Sequence, residues 1–143
     1  MRGRVSVIAV VVLIGVLVSV DNVSACSCAL VPVSKHMKRA DGAFNGRLLS
    51  VEPAAGTSEA AFRYRVGLVA KGPFRRGRVV TVWSQSSDAV CGLERGIGDL
   101  YGLFVSRDQR RWRSGLCGTV PPRKMRRAAR GAQLSTASGG ACA

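Results

Sequence analysis

The chain has 143 residues, 22 Lys or Arg against 8 Asp or Glu, one histidine and five cysteines, for a formal charge of +14. That length suits one domain with a modest core. A single histidine excludes a histidine-rich metal centre, and the scattered carboxylates offer no close pair for acid–base work. The chain is therefore not read as an enzyme, and no cofactor is expected.

Arg2 and Arg4 precede an uncharged apolar run, Val5–Val20, which ends at Asp21 and a small-residue site, Val23-Ser24-Ala25. This is the three-part pattern of a secretory signal peptide over residues 1–25. The run is shorter than the roughly 20 residues a spanning helix needs. Cleavage after Ala25 makes Cys26 the first residue of a secreted protein, with no membrane contact once the signal is gone. The same residues also fit a lipobox, in which Cys26 itself carries a lipid anchor. Export places the five cysteines in an oxidising compartment, where pairing is the default; an odd number leaves one over, and spacing alone does not choose the connectivity.

Residues 33–40 read as a short helix, with Ser34 as candidate N-cap and Asp41-Gly42 as its stop. Ala43–Val51 reads as a strand anchored by Phe44, Leu48 and Val51, and Pro53–Ser58 as a loop. The clearest alternation follows: Phe62, Tyr64, Val66 and Leu68 face one way, Arg63, Arg65 and Gly67 the other. Lys71-Gly72-Pro73 breaks that strand. Arg78–Trp83 is a second β-rich run, and Ser84–Val90 a polar loop into Cys91. Leu100–Val105 is an apolar strand, and Arg111–Leu116 pairs with it as a hairpin turning near Asp108-Gln109. Pro121-Pro122 closes a domain spanning residues 26–122. Residues 123–143, with Arg123, Lys124, Arg126, Arg127 and Arg130 and no acid, read as a basic, disordered tail. About five short strands and one short helix favour an all-β fold with small α content, closed as a barrel.

The basic surface suits an anionic partner such as an acidic cell-surface polymer. Export argues against nucleic acid, and no recognition helix or zinc-finger spacing supports it. Trp83, Tyr101 and Trp112 read as packing residues, and His36 as a solvated surface histidine.

Three segments resemble the N-terminal, netrin-like domain of the tissue inhibitors of metalloproteinases. Cys26-Ser27-Cys28 opens the processed chain. Ser86-Ser87-Asp88-Ala89-Val90-Cys91-Gly92-Leu93 is similar to that family's Ser-Ser-Ala-Val-Cys-Gly loop. Asp99-Leu100-Tyr101 with Leu103-Phe104 then leads to Leu116-Cys117. The resemblance implies a five-stranded barrel of the oligonucleotide-binding (OB) type, stapled by Cys26–Cys91 and Cys28–Cys117. It also implies inhibition of a zinc metalloprotease: the amine and carbonyl of Cys26 chelate the protease zinc, Ser27 enters the adjacent pocket, Cys28 and Ala29 continue the edge, and Ser87, Asp88, Ala89 and Val90 flank it. The helix that carries a third bridge in the family has Lys35-His36-Met37-Lys38 here, which leaves Cys142 unpaired or paired between chains. The competing expectation is a secreted netrin-like binding module that uses its basic surface and inhibits nothing, since a fold does not dictate a function.

Overall fold

The computed structural model describes residues 28, 31–86, 91–93 and 96–138, with side chains as far as Gly131. It contains a helix α1 (Val33–Arg39), six strands, β1 (Gly42–Pro53), β2 (Glu59–Lys71), β3 (Val79–Gln85), β4 (Leu100–Asp108), β5 (Arg111–Arg113) and β6 (Thr119–Val120), and a helix α2 (Pro122–Ser138). The fold is mostly β, as expected. The expected signal segment, residues 1–25, lies outside the described residues. Among those described, no helix is long and apolar enough to cross a membrane.

Strands β1, β2 and β3 form an antiparallel meander. Phe62, Tyr64 and Val66 are buried and point inward, while Arg63 and Arg65 are exposed, as the alternation predicts. Leu68 does not share their face as expected: an extra residue at Gly67 shifts the register, so Leu68 packs in the cluster outside the barrel and Val69 against its interior. Gly72, at φ +92°, makes the turn that ends β2, in the left-handed region where glycine carries no Cβ penalty. The chain then returns through β4, which pairs antiparallel with β1 from Gly42↔Val105 to Arg47↔Leu100. β5 pairs antiparallel with β4 and parallel with β3, so the circuit β1-β2-β3-β5-β4-β1 closes; β6 adds to β4 outside it. The hairpin expected over Arg111–Leu116 exists but is shorter. Only Arg111–Arg113 is strand, and the chain then enters a 3₁₀ turn at Leu116–Gly118. β1 shows register shifts at Ala43/Phe44, Asn45/Gly46 and Leu48/Ser50. The extra residues are Gly67 and Ala70 on β2 and Leu49 on β1; such bulges bend the strand that carries them and help the pair curve round a small barrel.

Phe44, Leu48, Phe62, Tyr64, Val82 and Leu103 head the fully buried barrel interior. A second cluster lies on the outside of β1 and β4, where Ala43 and Phe104 meet Met125 of α2, with Val33 and Met37 of α1 packed against it. Successive residues of β4 thus serve both cores: Leu103 and Val105 point into the barrel, and Phe104 points out under the helices.

Two sequence expectations are corrected here. Residues 123–138 are not a disordered tail: Pro122–Ser138 is helix, with Met125 fully buried and Ala129 nearly so. Their spacing of four puts both on one helical face, and Met125 finds apolar cover in the cluster formed with Ala43 of β1 and Phe104 of β4, against which Leu68 and Ala70 of β2 pack. Ser34 is not the N-cap of α1. The cap position is Pro32, two residues earlier, with no side-chain cap. Its other end is held instead by Lys71, whose Nζ donates to the Ala40 carbonyl at 2.6 Å and the Met37 carbonyl at 3.0 Å. A cation there satisfies orphan carbonyls and suits the negative end of the helix dipole.

Candidate functional site

Three of the five cysteines are described, and they converge. Cys28 is bonded to Cys117, with a sequence separation of 89 residues and Cα atoms 5.3 Å apart. Cys117 sits in the 3₁₀ turn after β5. Its neighbour Leu116 donates its backbone N–H to the carbonyl of Cys91 at 3.0 Å. Cys91 is itself disulfide-bonded, to a partner outside the described residues. It adopts φ +60°, a left-handed conformation that costs a non-glycine residue roughly 1 kcal/mol or more. The covalent bond and the hydrogen bond from Leu116 over-determine it. Such strain, held by its surroundings, gathers at functional sites more than elsewhere.

The Cys28–Cys117 bridge is the one that the family resemblance implies. Cys26, Ser27, Ala29, Ser87, Asp88, Ala89 and Val90, and with them the Cys26–Cys91 bridge and the whole chelating edge, lie outside the described residues. Cys142 lies outside them too.

Beside the cysteines, a cavity of about 460 Å3 opens between α1, the ends of β3 and β5, and the 3₁₀ turn, with His36, Ser84, Cys91, Phe104, Arg113 and Cys117 among its walls. His36 is not the solvated histidine expected. It is half-buried, its ring stacked on Phe104 with centroids 5.3 Å apart and planes 18° apart. Ser84 is 4% exposed, and its hydroxyl has no hydrogen-bond partner among the described residues. A buried hydroxyl is ordinarily satisfied, and a cavity of this size with polar groups among its walls has room for a bridging water or a ligand group.

Arg113 anchors the far wall. Its guanidinium hydrogen-bonds to the Glu59 carboxylate, and Nε lies 2.7 Å from Asp108 Oδ2, an opposite-charge contact without the alignment of a hydrogen bond. The Glu59 hydrogen bond, outweighing partial desolvation, raises the pKa above its ordinary value, so Arg113 remains a cation at any working pH. Nothing in the sequence pattern pairs Arg113 with Glu59, because they meet only when β5 lies against β3 and β3 against β2.

Trp83 and Trp112 pack as expected but also carry charge. Arg111 lies over the Trp83 ring at 4.4 Å and Arg107 over Trp112 at 4.7 Å. These contacts keep two barrel arginines occupied. Among the described residues, no group of three or more His, Cys, Asp or Glu could hold a metal ion. No family model matches this chain, and no curated protein matches it either.

Proposed function

We propose that this chain is a secreted, netrin-like protein whose barrel is of the OB type, and that it inhibits a zinc metalloprotease in trans. The inhibitory group is the free amine and carbonyl of Cys26 after signal removal. A catalytic zinc keeps one coordination position for water; the Cys26 amine and carbonyl displace that water. Ser27 enters the neighbouring pocket, and Ser87, Asp88, Ala89 and Val90 flank the edge beside Cys28 and Ala29. The strand circuit β1-β2-β3-β5-β4-β1 supports the fold part of the reading.

One observation carries the functional part: Cys28, two residues from the proposed terminus, is crosslinked onto the barrel at Cys117, one backbone hydrogen bond from a strained, disulfide-bonded Cys91. With Cys91 joined to Cys26, as the reading requires, two staples near one chain end hold the terminus rigidly, and preorganisation lowers the ordering cost of binding.

The test compares the oxidised protein starting at Cys26 with a version carrying one extra alanine before it, against a panel of zinc endopeptidases. The natural terminus should inhibit at least one of them, and the extension should weaken that inhibition by about a hundredfold or more, since an amide nitrogen cannot donate a lone pair to zinc as an amine does. Equal inhibition by both would place the activity on another surface. No inhibition by either would remove the reading.

A further inference from the structure

Both helices carry cations and no acid: α1 has Lys35, Lys38 and Arg39, and α2 has Arg123, Lys124, Arg126, Arg127 and Arg130. All eight are exposed, and among the described residues none forms an ion pair. On the barrel some cations are occupied: Arg63 pairs with Glu52, Arg113 with Glu59 and Asp108, Arg107 and Arg111 cover tryptophans, and Arg47 donates to the Gly98 carbonyl. Arg65, Arg75, Arg76, Arg78 and Arg110 are exposed and, like the helix cations, form no ion pair among the described residues; what sets the helices apart is that they hold no acid and flank an apolar groove.

The arrangement on α2 works against the helix. Arg123 and Arg127, and likewise Arg126 and Arg130, are like charges four residues apart, which destabilise a helix. Arg123 and Lys124 also occupy the first turn, at the positive end of the dipole. An external layer of negative charge removes both penalties.

Between the two helices runs a groove of about 660 Å3. Val31, Val33 and Met37 are half-buried along it, and Lys38, Lys124 and Arg127 stand exposed at its edge. Apolar walls edged by cations match an anionic amphiphile. A hydrophilic polyanion would use the cations and leave the apolar walls unfilled.

We propose that the layer formed by α1 and α2 is a docking surface for an anionic phospholipid bilayer, the headgroups lying on Lys38, Lys124 and Arg127 and an acyl segment entering the groove between the helices. The apolar face of α2 is already spent on Phe104 and Ala43, so the protein lies on the membrane rather than in it. This inference is independent of protease inhibition and stands or falls without it.

The experiment uses the full secreted, oxidised chain and vesicles of phosphatidylcholine with or without 30 mol% phosphatidylglycerol, a composition on the order of an anionic leaflet. Co-sedimentation should show binding to the anionic vesicles and little to the neutral ones. Lys38→Gln/Lys124→Gln/Arg127→Gln should weaken it by roughly a hundredfold, from three cations at the surface. The charge-matched variant Arg65→Gln/Arg75→Gln/Arg76→Gln, on exposed barrel positions, should weaken it by less than about tenfold, because screening confines the attraction to cations within a Debye length of the surface. Equal losses would show a net-charge effect and overturn the assignment. Monomeric dihexanoyl-phosphatidylglycerol should shift amide resonances of residues 31–38 and 124–131, and glycerol phosphate should not. Equal shifts from glycerol phosphate would discard the acyl groove and with it the lipid as occupant.

Discussion

Met125→Ala is the sharpest test of the second core. Met125 is fully buried, and its Cβ would lie only 3.0 Å from a Cβ added at Gly102, so the helix sits hard against β4. The substitution removes three heavy atoms beyond Cβ. At about 0.8 kcal/mol for each buried methylene equivalent, the lost transfer energy is about 2.4 kcal/mol. Residual cavity adds about 24 cal/mol per Å3, tempered by how far α2 settles toward the strand. The sum is about 3 kcal/mol, which lowers the melting temperature of a domain this size by roughly 10–15 °C. Thermal unfolding by circular dichroism measures it, with exposed Arg126→Ala as a reference expected to stay within about 0.5 kcal/mol. Amide exchange locates the effect: protection over residues 122–131 should fall first if α2 opens as a unit. A Met125→Ala protein within about 0.5 kcal/mol of the parent, with unprotected α2 amides in both, would refute the packing described and restore the tail.

Other substitutions probe the crosslink, a backbone contact and the terminus. Cys28→Ser/Cys117→Ser opens a loop of 89 residues. It should cost about 4.5 kcal/mol in denaturant unfolding on the chain-entropy model, and a loss below about 1 kcal/mol would mean the bridge is not a staple. Gly102→Ala puts a Cβ 2.8 Å from the Val120 carbonyl oxygen, against backbone that cannot rotate away. A cost of about 1–3 kcal/mol is expected in the same assay, and a neutral result would place β6 farther off. For the terminus, a free α-amine titrates near 7.7–8.0 and must be neutral to bind zinc, so affinity rises with pH until the amine is deprotonated. Inhibition, corrected for the protease's own profile, should strengthen about tenfold from pH 6 to pH 7 and level off above pH 8. A flat profile would argue against the amine as ligand.

What the sequence disclosed follows from the kind of interaction each residue makes. β2 alternates because one face meets the barrel core and the other meets water, so its period of two is visible without any partner. The parallel contact of β5 with β3, and the Arg113–Glu59 pair it creates, depend on barrel closure and leave no local mark. The Cys28–Cys117 pairing was legible only through the family resemblance, since spacing leaves connectivity open. The rest of the candidate site, residues 26, 27, 29 and 87–90, lies outside the described residues.

The helix layer is the most instructive miss. Leu103-Phe104-Val105 is a continuous apolar run, and a strand buried on both faces reads that way. It demanded cover outside the barrel, and the short α1 alone is too small to supply it. Met125 and Ala129, four residues apart, were the complement. Five cations and no acid around them dominate the composition, and composition is what distinguishes a tail from a helix when the apolar face is only two residues wide. The charge that hid α2 is also what needs explaining once α2 is found. A helix that repels itself at successive turns, held in place by its packing, presents a surface that gains stability from an anionic partner.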